Sequence, residues 1–251
     1  MLKKSRVISF SGKGGTGKTT TCSLFLSSIL SMGQFKDILV IDADPDANLG
    51  RTLGIAADKT VGQIVDKRKK QLDDREFGTS LRFSLWDTIV QGQGFDFLVM
   101  GRTTGEGCYC AVNSVLKSLL NDMLNMYDLI LIDFDAGLEH FSRRTATSDD
   151  TLVVVCDPSS LSFDTARRIK NLIEELSLPY NRQFLVGCRY HKEQEQLFFR
   201  LAQETEFDIL GLVPYDLEVA SRNLAGQSLL SLGMDNPAQQ AVNSMVKKII
   251  N

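Results

Sequence analysis

Residues 11–20 read SGKGGTGKTT, set between the apolar run RVISFS and a stretch with helical patterning. Gly12 through Thr19 fit G-x-x-x-x-G-K-[ST], the phosphate-binding loop, in the strand–loop–helix setting the motif requires. Glycines let the backbone wrap a phosphate closely with successive N–H groups turned inward. The helix that follows presents its positive dipole end. In the loop formed by Gly12, Lys13, Gly14, Gly15, Thr16, Gly17, Lys18, Thr19 and Thr20, Lys18 is placed to reach the β- and γ-phosphates and Thr19 to hold Mg²⁺.

Two further apolar runs end in carboxylates. VIDADPDAN carries Asp42, Asp44 and Asp46, and LILIDFDAG carries Asp133 and Asp135. Such residues often serve only as helix caps, but two sets in a chain with a complete phosphate loop point to a shared nucleotide site. A third feature is GEGCYCAVNS, where Cys108 and Cys110 lie one residue apart. In extended backbone, residues i and i+2 point to the same side, so both thiols can converge on one soft metal ion. Four thiolates are the usual complement of a closed site. No second Cys or His pair with ligand spacing is present, and a symmetric dimer with the motif near its two-fold axis would supply the missing half. Incidental cysteines and a redox-active pair are the alternatives.

The elements that must position these groups are legible as alternation. RVISFS, ILVIDAD, FDFLVMG, LILIDFD, TLVVVCD, RQFLVGC and FDILGLV read as buried strands. Helical segments are predicted over Lys18–Met32, Val112–Met126, Phe163–Leu176 and Glu193–Thr205. This order implies an α/β fold, a mainly parallel twisted sheet with helices on both faces, in one domain spanning residues 1–251. Asp66–Glu76 is strongly charged and reads as a solvated face. Pro237–Asn251 reads as a closing amphipathic helix whose stripe of Val242, Met245, Val246, Ile249 and Ile250 suits core packing rather than a membrane anchor.

Composition agrees with a globular chain: 251 residues, 43% hydrophobic and 24% charged. A net charge of −3 and a pI of about 5.5 argue against nucleic acid as the main partner. No apolar run is long enough to span a membrane, and the N-terminus turns polar and glycine-rich too early for a signal peptide. The expectation is a cytoplasmic protein. Of its five cysteines, Cys22, Cys156 and Cys188 lie in or beside apolar runs and read as buried core thiols.

With its early lysine, KGGTGKTT resembles the deviant phosphate loop of the MinD/ParA/ArsA/nitrogenase-iron-protein class of dimeric ATPases, SIMIBI-like P-loop NTPases. The resemblance implies ATP as the nucleotide, with Lys13 crossing a homodimer interface to the partner's nucleotide. It implies Asp44 as the switch residue that orients or activates the attacking water and, with Thr19, as one of the magnesium residues, and Asp133 as the Walker B aspartate holding Mg²⁺ through water. It implies that Asp135 and Gly137 sense the γ-phosphate. GLVPYDLEVASRNLAGQSLL resembles the element that borders the adenine in this class, which assigns Pro214 and Asp216 to nucleotide contacts. Cys188 stands where many relatives carry the asparagine that helps read the base.

GEGCYCAVNSVLKSLL…YDLILIDFDAGLEHFSRRTA, with FLVMGR upstream, resembles the CooC-type accessory ATPases over nearly the whole chain. That resemblance implies Ni²⁺ or Zn²⁺ bound by Cys108 and Cys110 of two subunits, and ATP-dependent nickel insertion into carbon monoxide dehydrogenase. Asp135 and Thr16 depart from the residues common in some relatives, glutamate and valine. The alternatives are an insertase for acetyl-CoA synthase, a MinD/ParA-type positioning switch, and an electron-transfer ATPase like the nitrogenase iron protein. The last expects a second, separated cysteine after Asp133, which FDAGLEH lacks.

Overall fold

A computed structural model describes residues 5–69, 86–102, 126–135, 150–178 and 180–250. Eight strands form one sheet: β1 (Arg6–Ser11), β2 (Ile38–Ala43), β3 (Val90–Gln91), β4 (Asp96–Val99), β5 (Leu129–Phe134), β6 (Asp150–Cys156), β7 (Arg182–Tyr190) and β8 (Asp208–Pro214). Their order across the sheet is β3-β4-β2-β5-β1-β6-β7-β8. Every pairing is parallel except β3 with β4. All seven runs read as strands are strands. The two-residue antiparallel β3 is too short to show a period in sequence.

The described helices are α1 (Lys18–Met32), α2 (Leu49–Leu53), α3 (Val61–Lys69), α4 (Ser160–Glu175), α5 (Glu195–Gln203), α6 (Leu217–Ala225) and α7 (Pro237–Ile250). Strand side chains alternate between two layers. Ile8, Phe10, Val40, Leu131, Val153 and Val155 pack with α1, α2 and α7. Val7, Leu39, Ile41, Ile130 and Ile132 pack with Val61 and Val65 of α3. Leu152, Val154 and Cys156 pack with α4 and α5. The segment predicted as one helix over Glu193–Thr205 begins instead with a 3₁₀ turn, Lys192–Gln194, braced by Gln194 Oε1 accepting from His191 N. Helix α3 takes in the first residues of the charged stretch Asp66–Glu76. The rest of that stretch, and the predicted helix Val112–Met126 apart from Met126, lie outside the described residues.

Helix α7 closes the structure as its stripe implied. Val242, Met245, Val246, Ile249 and Ile250 are all buried. Gly211 of β8 leaves the space that Met245 fills: a Cβ there would meet Met245 Cε at 2.8 Å. The helix's last carbonyls accept from arginines of β1 and β7. Arg6 Nη1 donates to Ile250 O at 2.6 Å, and Arg182 donates to Ile249 O and Lys248 O at 2.7 and 3.0 Å. The apolar face that might have anchored a membrane is therefore occupied by the core. No helix among the described residues is long and apolar enough to cross a membrane. Met245→Ala should destabilise the protein by about 2–5 kcal/mol, measured as a lower midpoint in urea unfolding.

Candidate functional site

The sheet's winding changes side at β1: the chain leaves it for β2 on one side, and β5 passes across it to β6 on the other. Ligands of open α/β sheets bind in the crevice beyond such a switch point. The loop between β1 and α1 fills that position. Gly12 has φ 143°, and a Cβ there would lie 2.4 Å from Val155 O of β6. Gly17 has φ 98°, and its Cβ would lie 2.6 Å from Cys188 Sγ of β7. Glycine is needed at both positions, for conformation and for space. Thr16 is buried, and its hydroxyl donates to Lys13 O at 2.8 Å, bracing the loop across its width. Lys18 is 5% exposed, with Nζ 3.4 Å from the same carbonyl. Lys13 is partly exposed, and Gly14 and Gly15 are exposed. Thr20 accepts from Asn223 Nδ2 of α6 at 3.2 Å.

Parallel register brings the acidic strand ends to this loop. Asp42 and Asp133 are direct partners on β2 and β5. Thr19 Oγ1 donates to Asp133 Oδ2 at 2.7 Å. Asp133 Oδ1 is buried without a hydrogen-bond partner among the described residues. A hydroxyl and an orphaned carboxylate oxygen suit a hard divalent cation such as Mg²⁺, while the helix N-terminus beside them suits a phosphate. Asp42 is fully buried, and its two oxygens accept from Asp44 N at 3.2 Å and Leu49 N at 2.8 Å. Asp44 is partly exposed at the rim, with Oδ1 accepting from Asp46 N at 2.8 Å. Asp135 is exposed just beyond β5.

Burial pushes the Asp133 carboxyl up to about 7 against the help of Thr19, with Asp42 adding to the rise. Burial likewise pushes Asp42 up to about 7, opposed by the backbone N–H groups of Leu49 and Asp44.

Two residues of the site were not visible in the sequence. Arg189 occupies a β-bulge between Cys188 and Tyr190 and has φ 64°. A bulge re-aims a side chain, and here the guanidinium donates to Gly15 O at 2.6 Å and to Asp157 Oδ2 at 3.3 Å. Arg102 reaches the loop after β2, where it donates to Pro45 O at 3.3 Å and pairs with Asp46.

Beyond β7 and β8, Pro214 ends its strand and Asp216 caps α6, with Oδ1 accepting from Val219 N at 2.9 Å. His191 and Tyr215 rings lie 5.0 Å apart at 31°. They help line an open depression of about 730 Å³ that also includes Asp216, Glu218, Asp235 and Asn236. Ring faces beside Pro214 are the kind of surface on which a base stacks. Cys188 is 1% exposed beneath Gly17, so it packs the phosphate loop rather than facing a base. Cys22, Cys156 and Cys188 are all buried free thiols, and burial raises each above the ordinary thiol range. Cys108, Cys110 and Gly137 lie outside the described residues. Among the described residues no group of three or more His, Cys, Asp or Glu side chains forms a metal cluster.

Residues 5–186 match the AAA domain family. The chain belongs to that family. It is 37% identical over 251 residues to an uncharacterized ATP-binding protein of Methanocaldococcus jannaschii, covering 98% of each chain. It is 30% identical over 240 residues to the carbon monoxide dehydrogenase accessory protein CooC of Rhodospirillum rubrum, covering 90% of this chain and 89% of that one. Its fold is that of the septum site-determining protein MinD from Pyrococcus horikoshii OT3, solved with Mg-ADP. The TM-score is 0.72 at 23% identity, over 98% of this chain and 96% of that one. The chain is thus a nucleotide-binding P-loop protein, as the loop and the parallel sheet implied.

Both buried carboxyls bind protons more tightly when folded, with values raised from 3.8 to about 7. Between those values the folded state holds more protons than the unfolded chain, so stability falls as pH rises through the window. The nucleotide-free, metal-free protein should therefore show a lower urea midpoint at neutral pH than at about pH 5. Asp133→Asn keeps an acceptor for Thr19 and removes the orphaned charge. It should flatten this dependence and weaken the stabilisation given by Mg-ADP.

Proposed function

We propose that this chain, a single P-loop domain over residues 1–251, is an Mg²⁺-dependent ATPase that works as a homodimer and delivers nickel to a metalloenzyme client. Carbon monoxide dehydrogenase is the favoured client. One observation carries the reading: the early lysine Lys13, the strand-end pair Asp44/Asp133 and the Cys108-x-Cys110 motif all occur in a chain that aligns over most of its length with CooC. The two motifs ask for the same assembly. Two C-x-C pairs make a four-thiolate site for Ni²⁺ or Zn²⁺ cargo, and Lys13 is useful only where a second subunit's nucleotide is near.

Hydrolysis is an in-line attack of water on the γ-phosphate. Lys18, buried at the mouth of α1, neutralises charge on the β- and γ-oxygens. Lys13 of the partner subunit adds a cation where charge develops, so turnover depends on assembly. Asp44, at the partly exposed rim, accepts the proton of the attacking water. Bound Mg²⁺ would supply charge neutralisation and polarisation at the phosphates, and Thr19 and Asp133, with Asp44 beside them, are the residues that would hold it. Pro214 and Asp216 border the base, with the His191–Tyr215 rings beside them. Linkage then requires nucleotide and cargo metal to alter each other's affinity by the same factor.

Reduced, anaerobic protein should bind one nickel per two chains and dimerise as it does so, measured by metal analysis and solution mass. Cys108→Ser/Cys110→Ser should lose both the metal and the metal-promoted dimer, and bound nickel should be released at low pH as the thiolates protonate. Asp44→Asn should lower kcat by about 10²-fold while leaving ADP affinity intact. Nickel binding unchanged in the double-serine variant would overturn the cargo assignment.

A further inference from the structure

Three alternate aspartates at the end of β2 and just beyond it form a relay in which the first two carboxylates each hold the backbone of the next. Asp42 Oδ1 accepts from Asp44 N at 3.2 Å, and Asp44 Oδ1 accepts from Asp46 N at 2.8 Å. Asp46 in turn pairs with Arg102, whose Nε donates to Pro45 O at 3.3 Å. The inner end of the relay is fixed, because Asp42 is fully buried and also accepts from Leu49 N at 2.8 Å. Its outer end is exposed. There the backbone turns through Ala47 at φ 50°, an uncommon conformation for a residue with a Cβ.

Arg102 itself stands on a rigid mount. Met100 N donates to Asp42 O at 2.8 Å, extending the β2–β4 ladder past its last regular pair, and Gly62 N of α3 donates to Met100 O at 2.9 Å. Gly101 has φ 63°, and a Cβ there would lie 2.6 Å from Thr60 Oγ1. A Cβ on Gly62 would lie 2.4 Å from Arg102 O. The two glycines let the arginine backbone sit against the start of α3.

We propose that Arg102 is a positioning residue for ATP hydrolysis: it clasps Pro45 and Asp46 and so fixes where the Asp44 carboxylate stands relative to the phosphate loop. This rests on the ATPase reading above. An exposed ion pair contributes little to stability, so the clasp serves the placement of Asp44 rather than the fold.

The test is steady-state ATPase kinetics of the full-length protein carrying Arg102→Ala, Arg102→Lys, Asp46→Ala, or Arg102→Ala with Asp46→Ala. ADP affinity, melting temperature and nickel content are measured in parallel. Arg102→Ala should lower kcat roughly tenfold, since a misplacement of about 1 Å can cost more than that, with KM, ADP affinity and melting temperature near those of the parent. Arg102→Lys should recover part of the rate, and the double variant should be no slower than the slower single one. A parental kcat in Arg102→Ala, or parallel losses of ADP affinity and melting temperature, would overturn the proposal. If the parent binds no nickel, the cargo reading falls, while the split between kcat and KM still decides the positioning role.

Discussion

Asp42 and Asp133 are buried side by side because the parallel register of β2 and β5 makes them partners. Neither can leave without moving a central strand. Each is raised to about 7 by loss of water, with Asp42 adding to the rise at Asp133 and Asp44 adding to that at Asp42. Their placement is unfavourable for folding at neutral pH, and the rest of the structure is built around tolerating it. Asp42 is offset by two backbone N–H donors, and Asp133 by one hydroxyl and by Lys18 nearby. The oxygen left over on Asp133 is what makes the site a demand for a cation rather than a finished polar cluster. A core of apolar strands, covered on both faces, supplies the stability that such an arrangement consumes.

The same constraint explains the backbone of the phosphate loop. With β5 on one side of β1 and β6 on the other, the loop leaving β1 must pass close over Val155 and then over Cys188. Only glycine fits at Gly12 and Gly17, and the small thiol of Cys188 is part of the fit. Cys188 therefore belongs to the floor of the site. The open depression lined by His191 and Tyr215 lies beyond β7 and β8, apart from that floor.

Much of this was legible in the sequence, for physical reasons. Strands buried on both faces show as unbroken β-branched runs, and the phosphate loop needs several glycines and a lysine within one short stretch. The stripe of α7 is a one-helix pattern and was read correctly residue by residue. What escaped was contact between segments distant in sequence. Arg189 becomes part of the site only through a bulge in β7, and Arg102 only because β4 lies next to β2. The short elements α2, α3 and β3 offer too few residues to display a period. Asp216 shows how one residue type carries two readings: the resemblance assigns it to the nucleotide, and the structure has it capping α6 at the edge of the depression. The two readings are compatible, since its second oxygen is not used by the cap.

The geometry also bears on how the loop after β2 is held. Asp44, residues 100–102 and Asp135 leave the same edge of the sheet, from adjacent strands β2, β4 and β5. Adjacent strands in a parallel sheet are rigid relative to one another, so a displacement cannot be absorbed by the sheet and must appear in the loops. The loop after β2 is secured at its inner end by Asp42 and at its outer end by Arg102, leaving Asp44 between a fixed point and an adjustable one. A small change on the β4 side is therefore expressed at the Asp44 carboxylate without rearrangement of the core.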